Sequence, residues 1–411
     1  MNRTEESPFS DPPSESPQLE GASGRDAIYT TNFFIAFLAN FFFFCSVNAF
    51  SLLPLYIKTL GGTVADIGGI MGTYGLTAIL AQPLAGVLSD RFGRKRFLLL
   101  GASLGVLSSI GFAFSTRLDF RFFLFRVVQG IGYSAFYIAN FTLIADMVPA
   151  SRRGEAVGLF GISGLITIAL SPALGEQLIR IAGFRIFFEV AAAAAAAALL
   201  ACLAFHAPRP THIASLPPRL SALVPSVRTL PPILLALVFG LVSGAVFVFL
   251  PTYARQVGIE RIGSFYIAYS AGAVGIRLTC GRLSDRLGRR RVILPALLFM
   301  ASGSLGLVWL TAPAMLLVVG TITGMGHGLL HPALSSSVID LSGSEERGRA
   351  LSAFSTAILL GSALGSFTFG VMAEQLGYRS IFLTASGIVL ATYVAFHRFG
   401  GPTEAAIEED S

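Results

Sequence analysis

The sequence predicts an all-α membrane protein in which twelve transmembrane helices form two pseudo-symmetric six-helix bundles. Hydrophobic residues make up 54% of the chain and charged residues only 13%, about half the charged share of a typical soluble domain. Long apolar runs follow one another along most of the chain. In addition, segment 86–96, GVLSDRFGRKR, returns as segment 281–291, GRLSDRLGRRR, which indicates an internal duplication.

A membrane-spanning helix needs about 20 mostly apolar residues, and we count twelve such candidates. The first six are 31–56, 67–88, 97–115, 122–145, 156–179 and 186–205, and the second six are 231–253, 263–279, 292–310, 314–338, 351–372 and 381–397. Segment 206–230, rich in proline and serine, is the predicted cytoplasmic linker between an N-terminal bundle, 31–205, and a C-terminal bundle, 231–399. The polar ends, 1–30 and 400–411, are predicted to be disordered tails.

The distribution of positive charge predicts the orientation of these spans. With both termini in the cytoplasm, the cytoplasmic segments carry 19 lysines and arginines and the opposite segments carry 8, while Arg126 and Arg277 lie within spans. Positively charged loops remain on the cytoplasmic side of a membrane. We therefore expect a multi-pass protein of the plasma or inner membrane with both termini cytoplasmic.

Several functional classes are disfavoured by the same composition. The net charge of +6 does not indicate nucleic-acid binding, because the basic residues lie in short turns between apolar runs. The chain contains no phosphate-binding GxxxxGK[ST] loop, which argues against ATP hydrolysis. No nucleophile with its base and no metal-ligand cluster emerges, so we expect no enzyme, no cofactor and no metal site.

The duplication extends beyond the two basic hairpins. At a separation of 194 positions, one set of five residues matches another: Gly130, Gly132, Asp146, Arg153 and Gly154 align with Gly324, Gly326, Asp340, Arg347 and Gly348. The fourth span therefore matches the tenth, and the turn after each span matches as well. Two homologous halves follow from the residues themselves.

These features resemble the major facilitator superfamily over residues 31–399. The family's signature loop, Gly-x-x-x-Asp-Arg-x-Gly-Arg-Arg/Lys-Arg, is matched in the first half at Gly86, Asp90, Arg91, Gly93, Arg94, Lys95 and Arg96. The second half matches it at Gly281, Asp285, Arg286, Gly288, Arg289, Arg290 and Arg291. The resemblance implies a transporter that works by alternating access about a midplane site between the two halves.

Two further motifs refine the resemblance. The fourth span carries RVVQGIGYSA from Arg126 onward, which is similar to the Arg-x-x-Gln-Gly motif of proton-coupled members of the family. The fifth span carries SPALG at 171–175, which resembles a worn form of the glycine-rich motif typical of the family's antiporters. Thr167, Ser171 and Glu176 stand where that motif places glycines, and this departure weakens the antiporter assignment.

The resemblance implies that the signature loops gate the cytoplasmic face. An aspartate there can accept hydrogen bonds from a guanidinium or from a helix N-terminus. Asp90 and Arg94 are expected to latch against Asp146 and the start of the eleventh span, holding the outward-facing state. Asp285, Arg289 and Asp340 should mirror this latch, whereas the alternative is that the charges only set topology. The other gate positions are Gly86, Arg91, Gly93, Arg153, Gly281, Arg286, Gly288 and Arg347.

Arg126 is a candidate site residue because a charge inside a span is costly and must face a wet cavity or a partner. Helical spacing places Gln129, Tyr133 and Tyr137 along the same face. We predict that this face lines a cavity and that Arg126 assists substrate binding or proton exchange. Structural pairing of Arg126 with a backbone carbonyl or with Glu189 is the alternative.

His327 and His331 lie one turn apart in the tenth span and, under the repeat, correspond to Tyr133 and Tyr137. Pseudo-symmetry therefore predicts the two pairs on opposite walls of one central cavity. Because histidine titrates near neutral pH, the pair is a candidate proton or substrate site. Packing histidines remain an equal alternative, and no third ligand for zinc is evident nearby.

Other polar residues in the spans give weaker indications. Asn48 and Gln82 are further candidates for the substrate pathway, although hydrogen bonding between helices explains such residues equally well. Glu176 and Glu374 lie near the outer ends of spans and are expected to be solvated.

Together these features predict a secondary active transporter that exports a small organic molecule and takes its energy from the proton gradient. Its expected partners are the substrate, protons and the lipid bilayer, and we expect a monomer that binds no nucleic acid. Because few acidic residues lie in the spans, the cavity should suit amphipathic or neutral compounds, or anions near Arg126. An uptake symporter for a sugar, an organic acid or a related nutrient is the alternative, and a non-transporting sensor on the same fold is a rival.

Overall fold

A computed structural model of the protein describes residues 30–148, 152–205, 226–280, 288–343 and 346–399, and these residues form helices joined by short turns. The predicted tails and residues 206–225 of the predicted linker lie outside the described ranges. The helices are α1 (Thr31–Ala49), α2 (Leu53–Thr59), α3 (Val64–Phe92), α4 (Arg94–Ala113), α5 (Arg121–Met147), α6 (Arg153–Ala204), α7 (Leu230–Gln256), α8 (Gly263–Cys280), α9 (Arg289–Val308), α10 (Pro313–Asp340), α11 (Arg347–Leu376) and α12 (Tyr378–Phe399).

The number of membrane crossings follows from the lengths of these helices. Within the described ranges, ten helical stretches are long and apolar enough to cross a membrane, and α1 and α2 together form the first of them, Thr31–Thr59. Helix α6 has 52 residues and would extend about 78 Å, more than twice the hydrocarbon core of a bilayer. It breaks at Gly183, where φ is 81°, and so supplies two crossings. If α8, with 18 residues, also crosses, the described helices supply the twelve crossings that the sequence predicts.

The backbone repeats the duplication seen in the sequence. All residues with positive φ in the described chain are glycines, and they form three pairs. Gly61 corresponds to Gly258, Gly93 to Gly288 and Gly183 to Gly377. Only glycine adopts this left-handed conformation without a steric cost. The two halves therefore turn in the same way at the same three places.

Within each half the helices pack closely because small residues face one another. In the first half α1 packs against α6, and α5 packs against α3 and α4. In the second half α10 packs against α8 and α9, and α7 packs against α11. A Cβ atom added to Gly324 of α10 would lie 2.0 Å from the Tyr269 carbonyl oxygen, so the two backbones are in direct contact there.

The halves meet at the end of the bundle where α3 and α8 begin, which we call the outer end. The inner end carries Gly93 and Gly288. Near the outer end α3 packs against α11, and the part of α6 before Gly183 packs against α8. A Cβ atom at Gly68 of α3 would lie 2.3 Å from the Ser366 carbonyl oxygen. Backbone-to-backbone contact between the halves therefore closes the outer end.

The close approach of α8 and α10 yields a stability prediction. Gly324→Ala should lower the unfolding free energy by about 1–3 kcal/mol, because its methyl group overlaps the backbone at Tyr269. Gly161→Ala is the control, since a Cβ there meets no described atom within 4 Å. We expect thermal unfolding in detergent to show a lower midpoint for Gly324→Ala only. Equal midpoints for the two variants would contradict the packing described here.

Candidate functional site

Two charged side chains are buried in the part of the chain that the structure describes. Arg126 of α5 is 3% exposed and Glu176 of α6 is 6% exposed. Removing a charge from water costs several kcal/mol unless partners replace the lost hydration. The partners that surround Arg126 and Glu176 therefore show how each buried charge is stabilised.

Arg126 lies in a central cavity of about 290 Å³ between the two halves. The first half contributes α1, α3, α5 and α6, and the second half contributes α7, α8 and α11. Most of the lining is apolar or aromatic, including Phe44, Tyr74, Phe247 and Tyr266. The other polar lining residues are hydroxyls and one amide: Asn48, Ser51, Tyr133, Ser243, Ser362 and Ser366. Among the described residues, Arg126 is the one charged group in this lining.

The guanidinium of Arg126 is held by neutral acceptors. Its Nη1 donates to Gln129 Oε1 at 2.5 Å, and its Nε donates to the Ile70 carbonyl at 3.3 Å. Its Nη2 lies 3.5 Å from the carbonyl oxygen of Met71, and the ring of Tyr74 lies 4.6 Å from Cζ. Within the described chain no carboxylate pairs with it. The positive charge is therefore positioned but not neutralised.

The contacts of Arg126 combine features of both alternatives given for it. The side chain lines the cavity and also binds backbone carbonyls, so both parts of the expectation apply. Glu189 is not its partner, because that carboxylate accepts from Arg185 at 3.0 Å.

Aromatic rings continue the face of α5 that carries Arg126. Tyr133 lies 5.3 Å from Tyr137 in a stacked pair, as expected for residues one turn apart. Tyr133 also packs edge-on against Tyr74 at 5.5 Å and against Phe44 at 6.2 Å. Tyr133 lines the cavity, whereas Tyr137 lies one turn toward the inner end and packs on Phe141 at 4.6 Å. The structure thus gives the cavity an aromatic wall.

The two amide candidates differ in their placement. Asn48 lines the cavity and donates through Nδ2 to Thr167 Oγ1 at 2.9 Å, which joins α1 to α6. Gln82 is 7% exposed and lies outside the cavity lining. Its Nε2 has no hydrogen-bond partner among the described atoms. Asn48 therefore belongs to the cavity. Gln82 is buried elsewhere in α3, directly before Pro83, which lies in the interior of that helix.

The histidine pair packs among aromatic rings of the second half. His327 hydrogen-bonds to the hydroxyl of Tyr269 and packs edge-on against Phe239 at 4.8 Å. His331 stacks on His327 at 5.9 Å and packs against Phe354 at 5.5 Å. Neither histidine lines the central cavity. The repeat places the backbones symmetrically, but aromatic rings of α7, α8 and α11 surround the two imidazoles, so the structure favours packing histidines.

The first signature loop forms a compact turn at the inner end. Gly93 has φ of 97° and separates α3 from α4. Arg94 lies 3.8 Å from Asp90 and donates to the Thr142 carbonyl at 3.0 Å. Arg91 lies over the ring of Phe92 at 5.4 Å, and a Cβ atom added at Gly86 would lie 4.0 Å from Ile138 Cγ2. These partners of Arg94 both belong to the first half.

The second loop repeats one part of this arrangement. Gly288, with φ of 86°, precedes α9, and Arg289 pairs with Asp340 at 3.0 Å. Arg347 begins α11 and is exposed. The other predicted latch residues lie outside the described residues, either entirely (Gly281, Asp285 and Arg286) or in their side chains (Asp146 and Arg153).

The expectation that Glu176 is solvated is wrong. Its Oε1 accepts from the backbone N–H of Ile262 at 2.8 Å, and its Oε2 accepts from the N–H of Gly263 at 2.8 Å. Glu374 is exposed, as expected, but its Oε2 also accepts from the N–H of Val64 at 2.7 Å. Each carboxylate thus reaches the first turn of a helix in the other half. The signal in the sequence was an acidic residue shortly before a turn glycine at the outer end of a span.

Two six-helix halves around a shared polar-and-aromatic cavity define a membrane transporter. The family model of the Major Facilitator Superfamily matches residues 33–276 and 233–410, and the chain belongs to that family. It is 25% identical over 371 residues to the multidrug resistance protein MdtG of Escherichia coli O9:H4 (strain HS), covering 84% of this chain and 90% of that protein. It is also 25% identical over 378 residues to the uncharacterized MFS-type transporter MJ1560 of Methanocaldococcus jannaschii, covering 87% and 97%.

A solved structure shares this fold at low identity. The crystal structure of a POT family transporter in complex with 5-aminolevulinic acid superposes with a TM-score of 0.78 at 15% identity. The superposition covers 91% of this chain and 97% of that one. The likeness extends over both halves and confirms the predicted fold class.

The inner latch gives a functional prediction. Asp90→Asn should abolish most transport in membrane vesicles while leaving membrane abundance unchanged, because it removes the negative charge that the predicted latch requires at the inner end, where Asp90 lies 3.8 Å from Arg94. Asp119→Asn is the control, since Asp119 pairs with Arg121 on an exposed turn. Normal transport by Asp90→Asn would refute the latch.

The placement of the histidines gives a second prediction. His331→Gln should leave the pH profile of transport unchanged, because rings of Phe239 and Phe354 enclose the imidazole away from the cavity. Thermal unfolding should show a modest loss of stability from the lost ring contacts, of about 1 kcal/mol. A shifted pH profile would contradict this prediction and would support a role for His327 and His331 in proton transfer.

Proposed function

We propose that this membrane transporter exports a small amphipathic organic molecule in exchange for protons. The observation that carries the proposal is the central cavity, where one uncompensated arginine is set among apolar and aromatic walls. A cavity of about 290 Å³ suits a small molecule rather than a folded partner. Nothing in its described lining supplies a negative charge for a cationic substrate.

The same lining favours an anionic or electron-rich group on the substrate. The remaining N–H donors of Arg126 can bind a carboxylate, sulfonate or phosphonate in the fork geometry that guanidinium groups prefer. The guanidinium lies over the ring of Tyr74, and Tyr133 packs against Tyr74, so both rings are available to an apolar part of the same molecule. The cavity thus offers a positively charged group for an anionic part of the substrate and aromatic rings for an apolar part.

Export is supported by two sequence motifs, by a similar protein and by the contact that closes the outer end. The RVVQG segment of α5 resembles the motif of proton-coupled members, and the worn motif of α6 resembles that of antiporters. The similar protein MdtG is named for multidrug resistance. The outer end is closed by contact between the halves, so a substrate enters from the inner end. Rocking of the halves would then open the outer end and release it.

We further propose the plasma or inner membrane as the location, with both termini cytoplasmic, because the basic residues that begin α4 and α9 lie at the inner end. In this orientation the gate residues Asp90, Arg94, Arg289 and Asp340 face the cytoplasm. The proton gradient supplies the energy, and no cofactor takes part.

The test is transport by the purified protein in liposomes with an imposed pH difference. The probe is the anionic dye 1-anilinonaphthalene-8-sulfonate, compared with the cationic dye ethidium. An antiporter moves the dye toward the proton-rich side, whereas an uptake symporter carries it away from that side. A sensor without transport activity shows no flux in either direction.

Arg126 provides the matched variants for this assay. Arg126→Gln should lower the rate for the anionic dye by at least about tenfold, because a buried charge-assisted contact is lost. Arg126→Lys keeps the charge without the fork and should retain an intermediate rate. Arg121→Gln, at an exposed ion pair, is the control and should transport normally. Unaltered dye transport by Arg126→Gln would overturn the proposed substrate site.

A further inference from the structure

The second buried charge closes the outer end of the bundle. Both oxygens of Glu176 accept backbone N–H groups at the start of α8, each at 2.8 Å. Gly263 permits this approach, since a Cβ atom there would lie 3.0 Å from Glu176 Oε2 and 2.9 Å from Ala173 Cα. A helix N-terminus carries partial positive charge and unpaired N–H groups, so it stabilises an ionised carboxylate. Glu176 therefore joins the first half to the second as an anion.

The other half makes the reciprocal contact. Glu374, near the end of α11, accepts from the N–H groups of Val64 at 2.7 Å and of Ala65 at 3.4 Å, at the start of α3. That helix already has its own cap, in which Thr63 and Asp66 satisfy each other's backbone N–H groups. Glu374 thus adds a contact between the halves to a helix that is stable without it. We call the two contacts of Glu176 and Glu374 the outer clasp.

Glu176 lies next to the cavity as well as at the outer end. Pro172, one turn earlier on the same helix, lines the cavity. Tyr266, one turn into α8 from Gly263, lines it too. The carboxylate therefore lies between the cavity lining and the outer end of the bundle.

The neighbouring ionisable groups are few. Tyr266 of α8 is the buried one, and it interacts electrostatically with Glu176. Glu260 and Arg261 in the turn before α8, and Arg180 one turn further along α6, are exposed. Segment 50–52, which also packs against α6, carries no ionisable group. In the described chain no cation forms an ion pair with Glu176, so its partners are the two backbone N–H groups.

We propose that Glu176 is a proton-binding site that couples the outer pH to opening of the transporter. A protonated carboxyl group has one O–H donor, and that donor cannot bond to a backbone N–H. Protonation removes the negative charge that the two N–H groups bind, and a neutral carboxyl group accepts hydrogen bonds more weakly, so the contacts with α8 weaken. The ionised form of Glu176 therefore favours the closed outer end, and the protonated form favours the open one.

This inference deepens the proposed exchange of substrate for protons and rests on it. When the outer end is open, Glu176 faces the proton-rich side and binds a proton. Closing restores the two N–H contacts only after Glu176 has lost that proton, so a proton-rich outer side favours the open state. Glu374 contributes to the outer clasp but is exposed in this structure. Unlike Glu176, it is therefore not shielded from solvent when the outer end is closed.

The test measures opening directly and needs no substrate. Spin labels are placed at Thr59→Cys in the first half and Gln256→Cys in the second, which are exposed, uncharged positions at the outer ends of α2 and α7. The native cysteines at 45, 202 and 280 are replaced by alanine. The distance between the labels is measured by double electron–electron resonance in lipid nanodiscs at pH 8 and pH 4.5. We expect the distance to increase by about 5 Å or more at the lower pH.

Two variants and one control identify the responsible group. Glu176→Gln mimics the protonated side chain and should show the longer distance at both pH values. Gly263→Ala, which displaces the carboxylate from α8, should shift the distribution the same way at pH 8. Glu189→Gln removes a partly exposed acid from the same helix and should keep the full pH response.

The outcomes separate this inference from the proposed function. Two results would overturn the proton site even if a pH difference drives dye export. One is a label-to-label distance in Glu176→Gln that is short at pH 8 and still increases at pH 4.5. The other is a label-to-label distance in the parent protein that does not change with pH. Conversely, absence of dye flux in the wild-type protein would overturn the proposed export while leaving a pH-dependent clasp intact. Export by the wild type with loss of pH-driven accumulation in Glu176→Gln supports both.

Discussion

Direct contact between helix backbones is the constraint on which the rest of this structure depends. In lipid, apolar side chains gain little by leaving one apolar environment for another, so helices associate through close packing and hydrogen bonds. Gly68 and Gly370 bring α3 and α11 together across the halves, and Gly324 and Gly361 do the same within the second half. These contacts leave no room for an extra methyl group, so they fix how closely the packed helices approach each other. The cavity is the space that remains below them.

The two buried charges are held in different ways. Arg126 has neutral acceptors, which fix the direction of its guanidinium without cancelling its charge. Its electrostatic free energy therefore improves when an anion enters the cavity. The charge of Glu176 is already used, because both of its oxygens bind the start of a helix in the other half. One charge is thus available to a ligand, and the other is committed to the contact that closes the outer end.

The sequence predicted the fold because its signals are local. Apolar runs mark crossings, the repeated hairpins mark the duplication, and Arg126 is recognisable as a charge in an apolar span. The environment of Glu176 was not predictable in that way, since it depends on which helix of the other half comes near. The histidines show the same limit. The repeat relates the backbone of α10 to that of α5, but the rings of Phe239 and Phe354 that cover His327 and His331 come from other helices.

The worn motif of α6 has a structural explanation. Glycines in such a motif let a helix bend and approach its neighbours closely. Here Thr167 accepts a hydrogen bond from Asn48 of α1, and Glu176 accepts two from the start of α8. Ser163, one turn before Thr167, accepts from Asn40 of α1 at 2.7 Å. In this chain α6 is therefore attached by polar contacts to α1 on one side and to the opposite half at its outer end. We expect a helix attached in this way to move with the first half, so opening of the outer end would break the contacts of α6 with α8, including the one at Glu176.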